Sequence, residues 1–129
     1  MSSAYYLFKR GKRISESGKF LEAIMLLEKA KKLEPEKGSI REVLASAYYN
    51  CGLYISAKKN FIKALKIDAS NDFAHYGLGL CLIKENKRTE ALGHFKIAFF
   101  MKPDHKKYKE VLDKFSGSKQ WFTPIRLQN

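Results

Sequence analysis

A chain of 129 residues sets a single domain as the expectation, large enough to hide roughly two-thirds of its unfolded surface without metal or disulfide staples. Hydrophobic residues at 45% and charged residues at 29% exclude a disordered chain, and no apolar run nears the roughly 18 residues of a membrane span. Lys and Arg total 25 against 13 Asp and Glu, a formal net charge of +12.

Arginine supplies only Arg10, Arg13, Arg41, Arg88 and Arg126 of that positive charge. Sites that grip phosphate and base edges favour its planar fork, so a scattered lysine surplus predicts at most weak, nonspecific attraction to nucleic acid. Two small basic clusters stand out, Lys9 to Arg13 and Lys106 to Lys109. Two cysteines, Cys51 and Cys81, are too few for a disulfide framework or a zinc site and fit a reducing, cytoplasmic compartment.

Taken in chain order, the opening MSSAYYLFKRGKR has its basic cluster after the aromatic residues and no apolar stretch behind it, which argues against a secretory leader. From there a step of 34 residues organises the chain. It links Ala23, Ala57 and Ala91; Ala30, Ala64 and Ala98; Leu27, Phe61 and Phe95; Gly11, Ala45 and Gly79; and Pro35, Ala69 and Pro103. Five series in one register define three units, 4–37, 38–71 and 72–105.

Each unit reads as two helices. In the second unit Val43, Leu44, Ala47 and Tyr48 recur at helical spacing, Asn50 to Leu53 break the pattern, and Ala57, Phe61, Ala64 and Leu65 resume it. Gly18, Gly52 and Asn86 fall in the turns within the units, where a positive φ suits glycine and then asparagine. Pro35 and Pro103 end the second helices, because proline lacks the donor that continuation requires. The small residues at 11, 45 and 79 allow close helix approach.

After the third unit, Tyr108, Val111, Leu112 and Phe115 form the stripe of one more amphipathic helix, about 105–115, with Asp104 as its expected N-cap. The domain thus covers 1–115, leaving 116–129 as a tail. Ser116-Gly117-Ser118 reads as a linker, and the residues beyond concentrate Trp121, Phe122, Ile125 and Leu127, a density foreign to disordered segments. The tail reads as a docking segment for its own superhelix, for a second subunit in a homo-oligomer, or for another molecule.

This pattern resembles the tetratricopeptide repeat family. Its signature residues fall on Leu7, Gly11, Ala23, Leu27 and Pro35 in the first unit, on Leu44, Ala45, Tyr48, Ala57 and Phe61 in the second, and on Leu78, Gly79, Ala91, Phe95 and Pro103 in the third. The tryptophan position is never Trp, and Arg10 stands where leucine is usual. The resemblance implies an all-α, right-handed superhelix of three helix–turn–helix repeats with a C-terminal capping helix.

It also implies a concave groove that binds a peptide. The family's groove positions correspond to Tyr5, Phe8 and Lys12; to Glu42, Ser46, Tyr49 and Asn50; and to Phe73, Tyr76, Leu80, Ile83 and Lys84. Aromatic anchors there would desolvate an apolar segment while rim lysines steer an acidic partner. One branch of the family clamps a chaperone's C-terminal carboxylate, and the corresponding positions are Phe8, Lys12, Val43, Phe73 and Gly77. Lys12 is the only cation among them, whereas carboxylate capture needs several converging donors.

No catalytic or metal-binding constellation emerges, and no cofactor is implied. His75, His94 and His105 lack the i, i+4 spacing of a helical metal site. Cys81 and His75, six residues apart, fall on separate faces of a helix. Gly77-Leu78-Gly79 lies mid-helix and lacks the Gly-Lys-Ser/Thr of a phosphate loop. The sequence therefore reads as a non-enzymatic protein-interaction scaffold, with a nucleic-acid-associated protein using its +12 surface as the alternative.

Overall fold

The 34-residue period reappears in space as helix pairs joined by short turns. A computed structural model describes residues 3–117. Among the described residues are seven helices and no strand: α1 (Ser3–Glu16), α2 (Phe20–Leu33), α3 (Gly38–Asn50), α4 (Tyr54–Ile67), α5 (Asp72–Lys84), α6 (Arg88–Met101) and α7 (Lys106–Ser116). The second helix of each unit starts at 20, 54 and 88, the same step as in the sequence. The expected tail anchors Trp121, Phe122, Ile125 and Leu127 lie outside the described residues.

The turns within the units share one hydrogen-bond pattern. The N–H groups of Lys19, Leu53 and Lys87 reach back to the carbonyls of Ile14, Tyr48 and Leu82 at 3.2, 2.9 and 2.9 Å. One residue earlier, the N–H groups of Gly18, Gly52 and Asn86 bond the carbonyls of Ser15, Tyr49 and Ile83. Closing both bonds puts the middle residue in the left-handed region, with φ of 89°, 84° and 62°. This satisfies carbonyls that the helix end would otherwise leave open.

Packing follows the small-residue series. Ala23, Ala30, Ala57, Ala64, Ala91 and Ala98 are fully buried, and Leu27, Phe61 and Phe95 fill the space between helices. A Cβ built on Gly11 would lie 2.8 Å from Leu27, and one on Gly79 would lie 2.4 Å from Phe95. These glycines are required by close approach, not by backbone conformation. Arg10, one residue from buried Gly11, is exposed on α1, as expected of an end helix with solvent on one side.

Helix α3 touches both α1 and α5, whereas α2, α4 and α6 make no comparable contact with one another. The first helices therefore form the tighter, inner layer, and the stack curves toward them. Polar links tie neighbouring units together: Lys63 pairs with Glu36 and Lys58 with Glu85, both at 2.7 Å. The Tyr48 hydroxyl donates to Glu28, which also pairs with Lys31 at 2.6 Å.

Helix α7 closes the last unit. Tyr108 and Leu112 are buried, Phe115 stacks on Phe95, and the Tyr108 hydroxyl donates to Asp72 at 2.6 Å. Burial opposes ionisation of Asp72, but the bonds from Tyr108 and Lys102 outweigh it and hold the carboxyl below its ordinary value. One expectation needs correction: α7 begins at Lys106, so its N-cap is His105, not Asp104. His105 makes no side-chain cap bond and instead lies flat against Tyr108, ring centroids 3.8 Å apart.

Candidate functional site: the inner groove

Three adjoining cavities run across the inner layer. The first, about 430 Å³, lies between the start of α1 and the α2–α3 loop, with Tyr5, Phe8 and Ile40 on its walls. The second, about 310 Å³, spans α1, α3 and α5 and includes Phe8, Lys12, Glu16, Glu42, Val43 and Phe73. The third, about 230 Å³, is bounded by Tyr49, Asn50, Phe73, Tyr76, Leu80 and Lys107. Phe8 and Ser39 line both the first and second, and Ser46 and Phe73 both the second and third. The cavities thus form one continuous groove.

Helical spacing explains this alignment. Glu42, Ser46, Tyr49 and Asn50 recur three or four residues apart along α3, as do Phe73, Tyr76 and Leu80 along α5, so each set forms one face. The aromatic rings are anchored from behind. Phe73 meets Phe61 at 6.0 Å, and Tyr76 meets Phe95 at 6.2 Å and Tyr108 at 5.1 Å. Such anchoring removes most of the side-chain entropy that a ligand would otherwise have to freeze.

Of the twelve groove positions expected from the sequence, Tyr5, Phe8, Lys12, Glu42, Ser46, Tyr49, Asn50, Phe73, Tyr76 and Leu80 line these cavities. Ile83 and Lys84 do not. Ile83 packs against the core of the last two units, and the Lys84 ammonium sits 5.2 Å over the Tyr54 ring. Both lie past Leu80 at the end of α5, where the chain turns toward α6. Lys107, contributed by α7, was legible only as part of a basic cluster.

Charge in the groove is mixed. Its cavities expose Lys12, Lys37 and Lys107 together with Glu16, Glu34 and Glu42, so the expected lysine rim is matched by an equal number of acids. Burial pushes the Glu42 carboxyl above its ordinary value, Asp72 and Asp68 add to the rise, and an Asn71 hydrogen bond opposes it. The clamp positions Phe8, Val43 and Phe73 gather in the central cavity with Lys12. Where a carboxylate clamp has converging donors, this groove has three apolar side chains and one lysine.

A second polar cluster lies outside these cavities. His75 Nδ1 stands 3.0 Å from His94 Nδ1, and His75 Nε2 stands 3.0 Å from the Ala69 carbonyl. A carbonyl only accepts, so His75 carries its proton on Nε2 and its Nδ1 receives the proton of His94. The same step of 34 explains the pair. In the second unit Arg41 bonds the Asn60 side chain at 3.2 Å and the Pro35 carbonyl at 3.0 Å. His75 and His94 take the places of Arg41 and Asn60, one unit on. The partnership follows from the Arg41–Asn60 contact carried one unit on, not from the spacing of the histidines themselves.

Burial, then the neighbouring His75, holds His94 below its ordinary pKa, with Glu90 acting in the opposite sense. The unfolded chain therefore takes up a proton at this site more readily than the folded one. Stability is expected to be fully present above pH about 6.5 and to decline as pH falls below it. The lowered carboxyls of Asp72 and Glu28 act in a separate, more acid window, below about pH 4. Denaturant melts across pH 5–8 in the wild type and in His94→Gln check this. The amide can still donate to His75, so the variant should lose the slope between pH 5 and 6.5 and keep the acid limb.

Cys81 is buried, and burial pushes its thiol up to about 12, which leaves it protonated and unreactive at neutral pH. Among the described residues no helix is long and apolar enough to cross a membrane.

The geometry has clear relatives. The first TPR domain of Spaghetti (RPAP3), solved with an HSP90 peptide, superposes with a TM-score of 0.84 at 23% identity, covering 89% of this chain and 91% of that one. The Arabidopsis OM64 TPR domain gives 0.85 at 19% identity over 88% and 94% of the two chains. The Sgt2 TPR domain of Aspergillus fumigatus gives 0.83 at 18% identity over 91% and 79%. Among curated proteins none matches the sequence. The tetratricopeptide repeat family pattern matches residues 39–71, the middle unit. The middle unit thus matches the tetratricopeptide repeat pattern, and the chain as a whole has the all-α fold of small tetratricopeptide repeat domains.

Proposed function

We propose that this protein is a non-enzymatic interaction module that binds an extended peptide segment in the groove across α1, α3 and α5. The observation that carries the reading is the continuity of the three cavities, each joined to the next by shared side chains. The fold supports it, since the first Spaghetti domain binds the HSP90 peptide SRMEEVD and the second TPR domain of human RPAP3 the HSP70 peptide SGPTIEEVD.

The chemistry selected here is different. With Phe8, Val43 and Phe73 around Lys12, a terminal carboxylate would be desolvated against apolar walls with too few donors to compensate. The ligand is an internal segment whose apolar side chains enter the cavities, and its affinity comes from burying them against anchored aromatic rings. Mixed charge at the walls sets orientation.

A display library of random peptides, selected on the full chain, tests this. Selected sequences should be rich in aromatic and aliphatic residues, and SRMEEVD should not bind. Ser46 borders both the central and third cavities, so Ser46→Arg should weaken selected peptides at least about tenfold, or about 1.4 kcal/mol. Peptides that bind wild type and Ser46→Arg alike would place recognition elsewhere.

A further inference from the structure

We propose that the groove's resident occupant is a segment of this same chain, residues 119–127, docked intramolecularly so that an external peptide must displace it. The proposal rests on the reading of the groove as a peptide site and adds the identity of its ligand.

Three observations carry it. The first is position. The described chain ends at Gly117, whose Cβ position lies 3.8 Å from the Arg88 guanidinium; Arg88 begins α6, just past the α5–α6 turn. Leu80 on α5 and Tyr49 on α3, which line the third cavity, also lie near the turn ends of their helices. The segment therefore continues from α7, the helix whose Lys107 borders the third cavity.

The second is reach. Packed helices stand about 8–10 Å apart, and an extended chain covers at most about 3.3–3.6 Å per residue. Trp121, four residues past Gly117, can lie up to about 14 Å from it, and Leu127, ten residues past, up to about 35 Å, a span of several interhelix spacings. Pro124 favours extended backbone at Thr123, the form a groove accepts.

The third is chemical complementarity. In the central cavity the two carboxylates of Glu16 and Glu42 face the single ammonium of Lys12. Residues 118–129 contain Lys119 and Arg126 and no acid, beside four large apolar side chains. An apolar, basic segment matches apolar walls with a local acidic excess. The cis arrangement is favoured over exchange between subunits because the segment is tethered to α7, whose Lys107 borders the third cavity, which gives it a high effective concentration at the groove.

Trp121 is the only tryptophan, so fluorescence of the full chain reads the segment directly. Emission should be shifted to shorter wavelength and shielded from acrylamide, unchanged across a wide range of protein concentration. In Ser46→Arg, with helical circular dichroism and melting midpoint preserved, the shift should be lost. Phe122→Ser/Ile125→Ser, which alters no residue of the helices, should lose it as well and should bind library peptides more tightly than wild type. Emission like that of free tryptophan overturns the proposal. So does a shift insensitive to Phe122→Ser/Ile125→Ser, and so does one that appears only as the protein dimerises. A free Trp121 together with Ser46-dependent peptide binding removes the intramolecular ligand but keeps the groove, whereas loss of Ser46-dependent peptide binding in every variant removes the groove itself.

Discussion

Phe95→Ala costs about 3–5 kcal/mol of folding stability, the range for deleting a buried aromatic side chain. Phe95 is fully buried, reaches the bare backbone of Gly79, and stacks on Phe115 at 6.0 Å. Its loss leaves a void at the joint between the third unit and the cap. Against a total stability of about 5–15 kcal/mol, the change approaches complete unfolding. Urea titration followed by circular dichroism measures it, and hydrogen exchange should show α7 opening first. A loss under about 1.5 kcal/mol would mean that the cap does not depend on this ring.

Gly77→Ala lowers stability by about 2 kcal/mol despite the better helix propensity of alanine. Propensity favours the substitution by about 1 kcal/mol. The added Cβ would stand 2.2 Å from Cζ of Phe61 and 2.3 Å from its Cε1, and Phe61 is itself buried. Overpacking of a closed core costs about 1–3 kcal/mol and at times more, and contact this close lies at the upper end. Shortening the ring relieves the clash, so Phe61→Leu in the Gly77→Ala background should restore part of the loss, with a coupling of about 1–2 kcal/mol. A Gly77→Ala protein as stable as wild type would show that Phe61 moves aside freely.

The repeat register was legible because burial and turn chemistry both recur with it. Alanines 23, 57 and 91 are buried at zero exposure, and every turn residue predicted to accept a positive φ has one. Which side chains of α3 and α5 share a face was legible for the same reason, since helical spacing fixes it. Contacts set by tertiary packing were not. Nothing in the spacing of His75 and His94 marks them as partners, and nothing local puts Lys84 over Tyr54. Likewise α7 begins where His105 meets Tyr108, although Asp104 has the better capping chemistry.

The matching of Phe61 to Gly77 carries a further meaning at the level of repeat order. Counting back 34 residues, the place of Gly77 is held in the second unit by Val43, and the place of Phe61 in the first by Leu27; Leu27 and Val43 pack in the same cluster. The two junctions thus use different partitions of volume, a medium side chain against a medium one and then a large one against none. A tandem duplication of residues 38–71 would bring Phe61 of one copy against Val43 of the next, where an aromatic ring and a branched side chain compete for the space now left by glycine. Such a lengthened array should fold poorly until that valine is changed to glycine. The units share a fold but are not interchangeable parts, and their sequence along the chain is written in side-chain size.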